Sequence, residues 1–322
     1  MAYFDVPIGA APRPAGEALP FARPEPPARL HLSKPKATAA VTEAFPPHHF
    51  RELDIEMDAT NAAMWCYMRP EGPPSFTPSL LRELIALRRA IHNQMSGHVA
   101  GEGLRYFIGA SRIPGIYNLG GDLQHFVAMI RQQDREGLRT YAVDCCNVAF
   151  HMATGFDRPV LTIGLVQGDA LGGGFEGAMS FNILVAERSA KMGLPEVLFN
   201  LFPGMGAMSL LSRKIGLARA QRMILSGKIF TAEELYEAGV VDLLAEDGQG
   251  EAEVRKFIAG GETRYRLHYA LAQARQRVSP LTFEELRDIT CIWVETAMHL
   301  GEADLRRMER LATAQKRRVE RS

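Results

Sequence analysis

Three glycine-bearing segments and two glutamates carry the chemical signal in this chain. Residues 167–180 read QGDALGGGFEGAMS, an apolar run that passes through three glycines into a helix-like stretch beginning near Phe175. Gly172, Gly174 and Gly177 satisfy GxGxxG. Glu176, however, would set a carboxylate inside the turn that should receive a pyrophosphate, and no acidic residue clearly closes the next strand, so a dinucleotide is a poor fit. The same architecture suits a transient anion, because free backbone N–H groups at a helix start can meet a developing oxyanion. Glu176 would then either move protons at the carbon beside a carbonyl or simply complement the helix dipole.

A second carboxylate, Glu196, follows in residues 194–209, LPEVLFNLFPGMGAMS, where Pro195 stiffens the approach and Pro203, Gly204 and Gly206 shape another loop before a helix. Two carboxylates close together divide acid and base roles, since proximity pushes their pKa values apart. Alone, Glu196 reads equally well as a surface residue near a turn. A third segment, residues 117–126, YNLGGDLQHF, offers Gly121 as a second N–H donor or, more simply, a strand-to-helix turn capped by Asp122.

The elements that must position these residues alternate. Thr77-Pro78 reads as an N-cap and first helical residue, with Leu80, Leu81, Leu84, Leu87 and Ile91 at helical spacing up to Gly97. Residues 104–109, 160–166 and 182–186 read as buried strands, and 122–133 and 141–154 as helices, the pattern of a mostly parallel α/β sheet. After Pro203 helices dominate: 207–215, 218–225, one opened by Thr231 with Glu234 and closed by Gly239, one opened by Thr282 with Glu285, and a last one over 303–318. That last helix carries Arg306, Arg307, Arg310, Lys316, Arg317 and Arg318 against Glu309. Eight of the nineteen prolines lie between Pro7 and Pro35, too poor in branched aliphatics to bury a core, so residues 1–44 read as an extension.

Lys and Arg total 37 against 37 Asp and Glu, which argues against a uniformly basic clamp on nucleic acid or an anionic membrane. Four cysteines with no CxxC pair suit reduced thiols better than a disulfide framework. No leader or membrane span is visible, so the expected location is cytoplasmic.

In order and spacing the three segments resemble the crotonase (enoyl-CoA hydratase/isomerase) superfamily, over roughly residues 45–246. Leu119-Gly120-Gly121-Asp122-Leu123 matches its first glycine pattern, residues 170–176 its Ala-Leu-Gly-Gly-Gly-x-Glu, Pro195-Glu196 its Pro-Glu, and residues 225–242 its helix with a Gly-Leu-Val-Asp ending. The resemblance implies a spiral of ββα turns over 45–250 and helical trimerisation elements over 251–322, hence a homotrimer or dimer of trimers. It implies Glu176 and Glu196 as catalytic pair, Gly121 and Gly173 amides as oxyanion hole, and no cofactor. The loop FNLFPGMGAMS and the stretch from Trp293 to Arg318 look like the branch that makes cis-2-unsaturated fatty acid signals, the diffusible signal factor synthases. Its acyl pocket would fall on Leu171, Gly172, Met205 and Trp293, although Met205 and Trp293 suit plain core packing as well. The implied substrate is a 3-hydroxyacyl thioester of acyl carrier protein, dehydrated and then hydrolysed; the acidic carrier has a candidate dock in the basic last helix, whose plainer reading is a solvated face. Two rivals remain: a hydratase acting on trans-2-enoyl-CoA, and a crotonase-like binding partner of a sensor kinase.

Overall fold

The computed structural model describes residues 50–319, so the expected proline-rich extension lies outside the described residues. Six strands form the main sheet in the order β1-β2-β3-β5-β7-β10: β1 (Leu53–Asp58), β2 (Ala63–Met68), β3 (Tyr106–Ser111), β5 (Leu161–Val166), β7 (Ile183–Glu187) and β10 (Leu243–Ala245). Only the β1–β2 hairpin is antiparallel; every other neighbour runs parallel. Side chains alternate across the sheet as strand geometry requires. Met64, Cys66, Met68 and Phe107 face the larger core, while Trp65, Tyr67, Tyr106 and Ile108 face a smaller one on the other side.

The helix expected after Thr77 is α1 (Pro78–Gln94), with Thr77 Oγ1 accepting from Leu80 N at 3.2 Å. It packs the larger core together with α2 (Leu123–Arg131) and α3 (Arg135–Ala153). The smaller core is covered by α8 (Gly250–Ile258) and α9 (Gly261–Val278), through Val254, Ile258, Tyr265 and Ala272. Both fall in the region the resemblance expects to be helical, but the spacing does not single them out; α9 buries only Tyr265 and Ala272 along its 18 residues and shows no apolar stripe.

A second sheet, β4-β6-β8-β9, consists of three-residue strands: Ile116–Asn118, Asp169–Leu171, Lys191–Gly193 and Ile229–Thr231. β4, β6 and β8 run parallel, each following a long strand of the main sheet, so the chain advances as β3β4, β5β6 and β7β8, each pair followed by a helical segment. This is the expected crotonase-type α/β spiral. The second segment leads into α4 (Gly173–Met179), which starts two residues earlier than the sequence suggested, and the third leads into a 3-10 turn, Pro195–Phe199.

α5 (Ala207–Ile215), α6 (Leu217–Ser226) and α7 (Ala232–Glu237) follow, the last with the complete Thr231–Glu234 capping box. Thr282 makes only half of the expected device at α10 (Phe283–Met298). Its hydroxyl accepts from Glu285 N at 3.1 Å, but the Glu285 carboxylate turns away to pair with Arg213 at 2.7 Å. The last helix, α11 (Glu302–Val319), lies against α2, with Arg131 bridging to Glu302 at 3.0 Å and Glu309 at 2.7 Å. Arg306 and Arg310 are exposed; the side chains of Lys316, Arg317 and Arg318 lie outside the described ones. The four cysteines are unbridged. Among the described residues no helix is long and apolar enough to cross a membrane.

Candidate active site

The three glycine-bearing segments meet because they leave the same ends of adjacent parallel strands. β4 pairs with β6 and β6 with β8, and just beyond them Gly172 N donates to Gly193 O at 2.8 Å. Asn118, buried at the end of β4, accepts from Gly120 N through Oδ1 at 2.8 Å, a side-chain turn that bends the chain into the loop. Gly120 takes φ +102°, and a Cβ there would lie 2.8 Å from the Leu171 carbonyl oxygen, so only glycine fits.

The next residues are anchored on both sides. Phe76 N donates to Gly120 O at 2.8 Å, and Asp122 N donates to Tyr141 Oη at 3.2 Å. Asp122 also caps α2, accepting from His125 N at 3.0 Å, so the simple turn and the possible donor loop are one structure. Between these anchors the Gly121 amide makes no hydrogen bond among the described residues. The Gly173 amide, at the first position of α4, likewise has no partner within its helix. A Cβ on Gly173 would lie 3.2 Å from Gly121 N, which places the two donors in neighbouring walls.

Glu176 sits one turn into α4 and is 2% exposed. Its Oε1 accepts from Met205 N at 2.9 Å and from Ala207 N at 2.8 Å, the latter opening α5. Burial pushes the Glu176 carboxyl up to about 7, and the two amides act against that rise. Glu196, in the turn after β8, packs Oε1 against Gly172, where a Cβ would lie 2.7 Å away, and seals Oε2 with no partner. Burial first, and the charge of Glu176 second, hold Glu196 well above the usual carboxylate range. At neutral pH Glu196 therefore keeps its proton while Glu176 is the member that ionises, helped by its two amides. Such a pair can take a proton from one atom and give one to another.

Both glutamates, Gly121, Gly173, Leu171, Gly172, Met205 and Trp293 line one cavity of about 310 Å³, so every site residue expected from the sequence converges there. Met205 and Trp293 serve packing as well: both are buried, and the Trp293 ring meets Phe126 edge-on at 5.3 Å. Helix α11 contributes Leu311 and Gln315 to one wall, and Gln315 Nε2 donates to Leu119 O at 3.0 Å. Behind Glu176, Gly173 and Met205 lies a narrower slot of about 50 Å³, lined by Cys66, Leu84, Phe107, Met152 and Phe181 among others. Cys145 also faces this slot; burial raises its thiol, and Cys146 beside it is pushed up to about 12, so neither is a thiolate at neutral pH. Neither cavity is lined by lysine, arginine or histidine.

Sequence reasoning missed Asn118, Tyr141 and Thr290, all of which hold the site from outside. Asn118 left a signal, a polar residue ending the apolar run IYN. Tyr141 reaches it from the following helix and Thr290 from 86 residues beyond Gly204, and neither left one.

A matching stability effect is expected. Glu176 is protonated more readily in the folded chain than unfolded, so its contribution is present below about pH 4.5 and is lost as pH rises through about 7. Glu176→Gln should therefore stabilise the protein at pH 9 by about 3 kcal/mol, several degrees in melting temperature, and by almost nothing at pH 4. Thermal melts across that range check it; an equal offset at both ends contradicts burial as the cause.

An enoyl-CoA hydratase/isomerase family model matches residues 69–283, and the chain belongs to that family. Among curated proteins it is 34% identical over 194 residues to the mitochondrial methylglutaconyl-CoA hydratase of Rattus norvegicus, covering 59% of this chain and 56% of that protein. It is 31% identical over 194 residues to a probable enoyl-CoA hydratase of Rhizobium meliloti (strain 1021), covering 58% and 68%. The chain spans about half the length of the mammalian hydratases it matches. Among solved structures, enoyl-CoA hydratase from Bacillus halodurans superposes with TM-score 0.65 at 21% identity over 80% of this chain and 99% of that one. Pseudomonas aeruginosa DspI superposes with TM-score 0.57 at 21% identity over 73% and 91%. These two likenesses speak to the fold.

Proposed function

We propose that this protein converts a 3-hydroxyacyl thioester of acyl carrier protein into a free cis-2-unsaturated fatty acid. The observation that carries the reading is the pair Glu176 and Glu196, both held above the usual carboxylate range by burial, in the same cavity as the unpaired Gly121 and Gly173 amides. The thioester carbonyl lies between the two amides, which stabilise the enolate formed when C2 loses its proton. One glutamate takes that proton, and the other protonates the C3 hydroxyl as it leaves as water.

The same donors then hold the oxyanion of a tetrahedral intermediate while a glutamate activates a water molecule. The C–S bond breaks, the carrier thiol takes a proton, and the acid is released. One water is lost and one consumed, so the sum is a 3-hydroxyacyl thioester giving an enoic acid and a thiol.

The narrow slot behind Glu176 has an almost wholly apolar lining, which supports an apolar carbon rather than a polar group beside the reacting atoms. Leu171, Gly172, Met205 and Trp293 would hold the carbons next to the reacting ones, and a turn of the chain from the larger cavity into the slot favours the cis product. The C-terminal helices would complete the site and assemble the chain as a trimer.

A second reading, addition of water to trans-2-enoyl-CoA, is favoured by relatives whose names are hydratases. Purified full-length protein offered matched carrier-protein and CoA thioesters of a 3-hydroxy acid separates the two. The proposal expects free acid with at least tenfold preference for the carrier. Equilibration between hydroxyacyl-CoA and trans-enoyl-CoA with the thioester intact would instead establish the hydratase.

A further inference from the structure

The amides that hold Glu176 belong to a loop with little rigidity of its own. Met205 lies between Gly204 and Gly206, and Gly206 has φ +131°. The loop is fixed from outside by α10. Thr290, fully buried on that helix, donates its hydroxyl to Gly204 O at 2.7 Å. One turn on, Trp293 covers Gly204 so closely that a Cβ there would lie 2.2 Å from the indole Cγ.

The Gly204 carbonyl and the Met205 N–H are opposite edges of one planar peptide. A hydroxyl bound to the carbonyl edge therefore dictates where the N–H edge points, and it points at Glu176 Oε1, 2.9 Å away. A threonine hydroxyl inside a helix commonly bonds the carbonyl three or four residues back. Here Cys146 Sγ stands near the Leu286 carbonyl, at 4.0 Å, and lies 2.9 Å from Thr290 Oγ1; because the single threonine proton is given to Gly204, the thiol must be the donor in the Cys146–Thr290 contact. A continuous chain runs from the Cys146 thiol through Thr290 and the Gly204–Met205 peptide to Glu176.

We propose that Thr290 is a positioning residue for Glu176, its hydroxyl locking the Gly204–Met205 peptide so that the N–H stays on the carboxylate. The inference rests on the reading of Glu176 as a working acid–base group. The titratable groups that share the cavities with Glu176 are Glu196 from the turn after β8, Cys66 from β2, Cys145 from α3 and Tyr117 from β4, with Cys146 one residue further along α3; no cation lines either cavity. Backbone amides are thus the donors that favour its ionised form, and losing one must make it harder to ionise.

The test is a carboxyl titration of full-length protein carrying 13C-labelled glutamate, with Glu176→Gln identifying the signal. In Thr290→Val the Glu176 midpoint should rise by about one to two pH units, the equivalent of one hydrogen bond to a charged group. Thr290→Ser, which keeps the hydroxyl, should return it to the wild-type position. Thr290→Ala removes the same hydroxyl without the valine branch and serves if valine does not fold. A wild-type midpoint in either hydroxyl-free variant overturns the proposal. The pH–rate profile separates the two readings: a raised midpoint with a parallel rate shift supports both, whereas a raised midpoint with an unmoved profile supports the positioning role and contradicts acid–base use of Glu176.

Discussion

Glu176→Ala and Glu196→Ala should each lower kcat on a 3-hydroxyacyl thioester by about a hundred- to ten-thousand-fold, the range for loss of one positioned proton-transfer group. The double variant should lose little more than the worse single one, because an acid and a base that serve the same step work as a unit. Their chemistry depends on burial that is costly to maintain: Glu176 is 2% exposed, and Glu196 keeps an oxygen with no partner. The substitution that removes activity should accordingly leave the fold intact or more stable above neutral pH. Steady-state kinetics beside melting curves check both halves, and near-wild-type turnover in the double variant would remove the pair from the mechanism.

The next largest effect is expected at Gly120, a glycine of the donor loop that lines the same cavity. Gly120→Ala places a methyl 2.8 Å from the Leu171 carbonyl oxygen and 3.1 Å from Gly173 N, at a backbone angle of φ +102°. Both obstacles are backbone, so the loop must move and carry the Gly121 amide with it. Loss of one oxyanion donor costs about a hundred- to a thousandfold in kcat, with KM little changed. Gly121→Ala is the informative control. Its methyl would meet the Phe126 ring at 2.5 Å, a side chain rather than backbone, and its φ is not positive, so the loss should be the smaller of the two. Equal kcat in Gly120→Ala and wild type would mean that this loop does not supply the donor.

Sequence and structure agree where signals are local. Thr77 and Pro78 open α1, Thr231 and Glu234 form their reciprocal cap, and α5 has the bounds its spacing predicts. Agreement fails where the determinant is distant or the element too short. Strands β4, β6 and β8 have three residues each, fewer than an alternation needs to declare itself, yet they aim every glycine and glutamate of the site. Helix α9 is polar enough to hide, because its burial rests on Tyr265 and Ala272 against the far face of the sheet. Glu285 suggested a full capping box at Thr282 and instead answers Arg213, a partner 72 residues away. The candidate site was legible because its residues lie in three compact segments. Their supports were not, because Thr290 meets Gly204 across 86 residues and Tyr141 reaches Asp122 from the next helix.

The most direct measurement is the fate of oxygen in water enriched with 18O. Full-length protein given a 3-hydroxyacyl carrier-protein thioester should release free cis-2-enoic acid with a single 18O in its carboxyl group, seen by mass spectrometry, with the cis geometry fixed by NMR. Recovery of intact thioester carrying 18O at C3, with a trans double bond in the dehydrated fraction and no free acid, would contradict both the hydrolysis and the cis-selective elimination.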